Sequence, residues 1–258
     1  MGGEIMIHNK FLALILASSA CLFFIFCDQT KSEVPAKVKE LLLKAIEVHG
    51  GMDRLSKHRA DSVKTKGLIQ FNGVEAKFKS ETIVQLPDQL KTSQEIEVKG
   101  KSFRVVQICN KGEVVMQIDN KQQKAEPAIA QQIQDTLRLA VLIRLIPLLD
   151  NSALKFEDLG SVIVSERPAR AIRVKEKDRP DIVLVFDEQS GFLIKSELVR
   201  QFEKKQVVQE DFFSDFRDIS GFKRPVKLQS FRNGKKILDA ELIEVRYFEK
   251  LDPSVFKP

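Results

Sequence analysis

The feature that most constrains this chain is a two-residue alternation that begins near Ser62 and returns over most of the remaining length. Val74, Ala76, Phe78, Ser80, Thr82, Val84 and Leu86 alternate with Glu75, Lys77, Lys79, Glu81, Ile83 and Gln85. Successive side chains of a strand point to opposite faces, so the pattern predicts a strand with one face on a core and one in water. Turn signals recur at strand-length spacing: Asn72-Gly73, Pro87-Asp88, Gly100-Lys101 and Asn110-Lys111-Gly112. They predict hairpins, and five antiparallel strands fit between residues 62 and 119. A second series covers 154–164, 169–176, 181–187, 192–202, 206–217, 223–232 and 236–248. It is divided by Arg167-Pro168, Arg179-Pro180, Ser190-Gly191, Ser220-Gly221 and Asn233-Gly234.

Two segments break the alternation. Val34 to His49 places Val38, Leu41, Leu42, Ala45, Ile46 and His49 on one helical face, with Pro35 in the first turn and Gly50-Gly51 as the stop. Met52 to Lys57 predicts a second short helical turn. Glu126-Pro127 opens a helix that runs to about Leu149. Ile129, Ile133 and Leu137 share a face in its first half. Its second half is apolar except at Arg138, Arg144 and Pro147. A helix end that is apolar all round must be buried in protein or cover something apolar. The expected class is therefore α+β, mainly antiparallel β. The expected architecture is a meandering, strongly curved open sheet, or incomplete β-barrel, with helices covering its concave face. No linker interrupts it, so residues 28–258 read as a single domain.

Residues Phe11 to Cys27 form 17 consecutive uncharged, mostly apolar residues. That length falls between a signal-peptide core and a membrane-spanning helix, of about 7–15 and about 20 residues respectively. Three fates stay open for residues 1–27: a cleaved signal peptide, a retained anchor through residues 11–27, or lipidation at Cys21 after Ser18-Ser19-Ala20. All three make this an exported protein of the periplasm or cell envelope. The positive-inside rule opposes them, because Lys31, Lys37 and Lys39 follow the run and only Lys10 precedes it. Beyond the leader Cys109 stands alone, so no disulfide framework is available to the main domain.

Catalytic chemistry is thin. His49 and His58 have no nucleophile near them in sequence. Asp211, Asp215 and Asp218 form the densest acidic set, which reads most simply as a solvated edge. No phosphate-binding loop, dinucleotide fingerprint or nucleophile elbow is present. Neither an enzyme, a metal site nor a cofactor is expected. The net charge is +6, but Lys and Arg are interleaved with Asp and Glu and no basic-aromatic stripe appears. That argues against nucleic acid, while weak contact with an anionic membrane surface fits the charge. The apolar supply has two readings. The sheet face and the helix either fill one another or enclose an apolar cavity with the helix as a lid.

Three segments carry a resemblance. Residues 210–225, EDFFSDFRDISGFKRP, resemble the "SDYREVDGLKRP" segment of secreted proteins related to the bacterial outer-membrane lipoprotein-sorting family. The ending, RNGKKILDAEL at 232–242 and EKLDPSVFKP at 249–258, is similar to that family's "LDDSxFxxP" close. AIEVHGGMDRL at 45–55 fits its first helix and glycine pair. The resemblance implies an open antiparallel barrel with helices in its mouth that binds lipid or acylated protein without catalysis. Phe78, Val84, Phe103, Val105, Met116, Ile118, Ile133, Leu142 and Phe186 are the candidates for the cavity wall. Arg138 and Arg144 lie on the lid segment and are the candidates for a lid arginine. A monomer is expected. A structural or interaction protein of the same fold with a filled core is the alternative.

Overall fold

The structure is a computed structural model that describes residues 34–71, 73–202 and 205–258. The expected leader, including Cys21, lies outside the described residues. The described residues form one compact unit.

Helices α1 (Ala36–His49) and α2 (Met52–Lys57) precede strands β1 (Ala60–Phe71), β2 (Val74–Gln85), β3 (Gln89–Val98), β4 (Lys101–Asn110), β5 (Glu113–Ile118) and β6 (Lys121–Gln123). Helices α3 (Pro127–Leu142) and α4 (Ile146–Asp150) come next. The second series is β7 (Lys155–Val164), β8 (Arg167–Lys175), β9 (Ile182–Asp187), β10 (Leu193–Phe202), β11 (Lys205–Ile219), β12 (Phe222–Arg232) and β13 (Lys235–Phe248). A 3₁₀ turn at Pro253–Phe256 ends the chain.

All strands belong to one open, curved antiparallel sheet of order β6-β5-β4-β3-β2-β1-β13-β12-β11-β10-β9-β8-β7. It is not one meander, as the turn spacing predicts, but two joined through the first and last strands. β1 pairs with β13 from Ala60↔Phe248 to Ile69↔Leu238, with a bulge after Lys64. Turn signals specify neighbours in sequence, and this pairing joins strands at opposite ends of the chain. Because β6 and β7 are the two edges, the α3–α4 connection has to travel from one edge of the sheet to the other.

The long helix expected to Leu149 stops at Leu142. Pro147 explains the stop: inside a continuous helix it would lose a hydrogen bond and crowd the carbonyl of Ile143. The chain turns instead at Leu145, whose φ is 69° and whose side chain is buried, and restarts as α4 with Pro147 in the first turn. With ψ at −49° and the Ile146 amide donating to the Arg144 carbonyl at 2.8 Å, Leu145 is the centre of a γ-turn, a strained conformation that the surrounding packing must hold.

The helices cover the concave face. Val38, Leu42 and Ile46 of α1, Leu139 and Leu142 of α3 and Leu148 of α4 bury against Ile172, Val174, Ile182, Leu184, Phe186 and Leu198. The other side of α3, through Ile133 and Leu137, meets Val84, Leu90 and Cys109. The convex face is capped by the tail: Phe256 packs on Val106 and Ile108. Asp252 caps this tail by accepting from the Ser254 amide at 2.8 Å. Lys91 Nζ donates to the carbonyls of Val255 and Lys257 at 3.0 and 3.2 Å.

Candidate functional site

Helix α3 crosses the concave face and is strapped down at three places. Gln134 Nε2 donates to the Gly112 carbonyl of the β4–β5 turn at 3.0 Å. Arg138 reaches the β8–β9 connection, where Nε donates to Glu176 at 2.7 Å and Nη1 to the Pro180 carbonyl at 2.6 Å. Arg144, just past the helix end, donates through Nη2 to Asp61 Oδ1 on β1 at 2.5 Å and through Nη1 to the Ala140 carbonyl. The last strap is the most buried, with side-chain exposures of 13% and 6%. Burial lowers the Arg144 pKa against the opposing pull of Asp61, and arginine nonetheless stays a cation in proteins. Removing one partner of such a pair typically costs about 3–5 kcal/mol, because the other is left as an uncompensated buried charge. Arg224 stands 3.6 Å from the second Asp61 oxygen.

Beside α3 and α4 lies a cavity of about 720 Å³. Leu55, Leu86, Leu137, Val141, Leu142, Ile146 and Cys109 supply apolar wall. Arg59, Arg138, Arg179, Asp88, Asp150 and Glu176 supply charge. The volume lies within the roughly 300–1,000 Å³ range of small-molecule sites. Burial raises the Cys109 pKa, so the thiol stays neutral and behaves as a small apolar group.

A second, smaller space of about 40 Å³ lies behind the Arg144 strap, among His49, His58, Asp61, Phe222, Arg224 and Tyr247. Phe222 stacks on Tyr247 with ring centroids 3.8 Å apart, and His58 meets both rings edge-on. Burial pushes the Tyr247 pKa up to about 12, and its hydroxyl is buried without a partner. Burial likewise lowers the His49 pKa to about 4. His49 Nδ1 lies 2.7 Å from the Ala45 carbonyl, so the neutral ring donates from Nδ1. Neither histidine lies beside an activated nucleophile. Among the described residues no group of three His, Cys, Asp or Glu could hold a metal. Asp215 pairs with Arg217 and Asp218 with Lys223, at 2.8 and 3.3 Å.

The structure distributes the candidate wall residues over four environments. Leu142 borders the 720 Å³ cavity while packing in the same cluster as Phe186. Val84 and Ile133 meet beneath α3. Phe78, Phe103 and Val105 form a further cluster with Ile96 and Ala240 that contains no helix residue. Met116 pairs with Gln107 and Ile118 with Val105 on β5, where Ile118 is 38% exposed. Of the arginines, Arg138 borders the larger cavity and Arg144 the smaller. Sequence reading missed Asp61, the partner of Arg144. The signal was there: Asp61 is in phase with Val63, Ile69 and Phe71, an acid on the apolar side of an alternating strand.

No protein-family profile matches the sequence, and no curated protein matches it. Solved structures do match in three dimensions. A DUF1329 family protein from Desulfovibrio piger aligns with a TM-score of 0.53 at 12% identity, over 85% of this chain and 97% of that one. A LolA superfamily protein from Nitrosomonas europaea aligns with a TM-score of 0.55 at 9% identity, again over 85% and 97%. The chain shares the fold of these two proteins. A Vibrio parahaemolyticus domain named for outer membrane lipoprotein sorting aligns at 0.49 and 9% identity, over 83% and 97%.

Within this LolA-like fold, two of the family-like segments meet. A Cβ on Gly50, at φ 145°, would lie 3.1 Å from the Gly221 carbonyl oxygen, so glycine lets the end of α1 approach the β11–β12 turn. Arg54 Nη1 donates to that same carbonyl at 2.6 Å. These motif residues hold the first helices on the rim of the sheet.

Proposed function

We propose that this chain binds an apolar ligand, a lipid or the acyl chains of an acylated protein, in the cavity beside α3 and α4, and that it does so without catalysis. The observation that carries the reading is a cavity of about 720 Å³ walled by Leu55, Leu86, Leu137, Val141, Leu142 and Ile146, flanked by a helix that joins opposite edges of the sheet. The LolA-like fold supports it. Burial of a chain would supply about 0.8 kcal/mol per methylene, so broad apolar walls need few directional groups. Helices α3 and α4 act as the lid, Arg144 and Asp61 as its latch, and the γ-turn at Leu145 as the joint between them. Val84 and Ile133 beneath α3, and beyond them Phe78, Phe103, Val105, Met116 and Ile118, would join the wall once the lid lifts, while Phe186 would stay in the packed flank along which the helix is held.

The same reading places the protein in the cell envelope. Residues 1–27 would be a cleaved signal, an anchor or a segment lipidated at Cys21, and residues 28–258 a monomeric binding domain. Its net +6 charge would favour weak contact with an anionic membrane surface. The test is native mass spectrometry of the protein expressed into the periplasm, followed by organic extraction. A co-purifying acylated species supports binding. A clean apo mass with no uptake of added lipid favours the alternative, a filled-core interaction protein.

A further inference from the structure

The alternation that builds the sheet carries an anomaly on its concave face. Beneath α3 that face is apolar, in the row Val84, Leu90 and Cys109. Toward its far end it is apolar again, in the row Phe78, Ile96 and Phe103. Between them the same strands carry two polar rows. Thr65, Ser80 and Gln94 lie opposite one another on β1, β2 and β3, and Thr82, Thr92 and Gln107 on β2, β3 and β4. The Thr65 and Ser80 hydroxyls lie 3.0 Å apart. Among the described residues the side chains of Thr82, Thr92, Gln94 and Gln107 have no hydrogen-bond partner in the protein. They are not sealed, because the buried side-chain nitrogens and oxygens without a partner among the described residues belong to Arg138, Ser196 and Tyr247. These hydroxyls and amides stand open to water on the inner wall.

The cavity already reaches the row beneath α3 at Cys109. A ligand that runs on from there along the strands meets the polar belt about 7 Å further, two residues along. Hydrocarbon laid over the belt would strip water from four unpartnered side chains and return no hydrogen bond, which costs free energy. A ligand group with its own donors and acceptors restores those bonds. The belt contains no Lys, Arg, Asp or Glu, and its neighbours in the same rows, Val63, Val105 and Met116, are apolar. A carboxylate or phosphate would lose its hydration there with no cation to replace it. We infer that this belt holds the uncharged polar group of a neutral lipid, hydroxyl and ester oxygens as in an acylglycerol, with the hydrocarbon beneath α3. The inference rests on the apolar-site reading and names the head group of its ligand.

The test titrates labelled glycerol monolaurate, laurate and dodecane separately into the delipidated protein. The wild type should bind the monolaurate at least about tenfold more tightly than either other probe, as two or more hydrogen bonds require. Gln94→Leu/Gln107→Leu should lose at least about tenfold of the monolaurate affinity while binding dodecane at least as tightly as the wild type does, which a misfolded protein cannot do. A monolaurate preference that survives in the double variant, with dodecane still bound, overturns the belt and leaves the apolar site standing. A wild type that binds laurate or dodecane as tightly as the monolaurate does the same. Binding of none of the three by the wild type removes both. Should the double variant fail to fold, nuclear Overhauser contacts on the wild type decide. The glyceryl protons should meet the side-chain amides of Gln94 and Gln107, and glyceryl contacts confined to Leu137 and Leu142 overturn the belt.

Discussion

The two sides of α3 are built differently. Toward β8, β9 and β10 it shares one continuous cluster with α1 and α4, in which Leu42, Ile172, Val174, Ile182, Leu184 and Phe186 are all almost fully buried. Toward β2, β3 and β4 it rests on a smaller group, Val84, Leu90 and Cys109, and the 720 Å³ cavity opens beside it. One side is a filled core and the other a lightly filled seam. A helix fixed along one flank and lightly held along the other is the arrangement a lid requires, because it can open without dissolving the domain.

The contrast can be broken from either side. The largest effect is expected in the filled half: Leu184→Ala should destabilise the fold by about 4 kcal/mol in urea titration, the upper part of the range for a fully buried leucine. Arg144→Met comes next, at about 3 kcal/mol, the lower end of the range for a broken buried pair, because it removes the bonded partner of Asp61 and leaves only Arg224 at 3.6 Å. The double variant Asp61→Leu/Arg144→Met should recover much of that loss, and no recovery would show that the pair is not a latch.

His49 supplies a pH signature of the filled half. Its folded pKa is lowered from 6.5 to about 4, so the unfolded chain binds the extra proton first as pH falls. Its contribution is complete above about pH 6.5 and is lost progressively toward pH 4, by as much as about 3 kcal/mol. Denaturation midpoints of His49→Gln should therefore fall less than those of the wild type between pH 6.5 and 4. Parallel profiles would mean that His49 is not buried neutral.

On the lightly filled side, Ile133→Ala should cost only about 2 kcal/mol and speed ligand exchange. A loss equal to that of Leu184→Ala would erase the distinction between the two flanks. The smallest effect belongs to Ile163→Lys, at a side chain 71% exposed, with a change below about 0.5 kcal/mol.

Much of this architecture was legible in the chain. Alternation and turn residues located all the strands except the three-residue β6, which is too short to show a period. The glycine pair at 50–51 ends α1, as glycine past a helix end should. Three features were not legible. The β1–β13 pairing is non-local, and no turn signal encodes it. The break at Leu145 follows from Pro147, whose weight against a run of apolar helix formers shows only when the chain turns. The cavity depends on which side of α3 each residue meets: Leu137 borders it and Ile133 does not, although both lie on one helical stripe. Asp61 could have been found by asking which acid lay out of phase with its strand's polar face.

The central claim is that the space beside α3 accepts an apolar ligand, and filling it tests this most directly. Val141 is half-buried and borders the cavity, and the chain contains no tryptophan. Val141→Trp therefore both fills the space and reports from it. The account predicts saturable uptake of N-phenyl-1-naphthylamine by the wild type. In Val141→Trp uptake should fall at least about tenfold, with a blue-shifted tryptophan emission and an unchanged melting temperature. Equal dye uptake by both proteins, or none by the wild type, would contradict it.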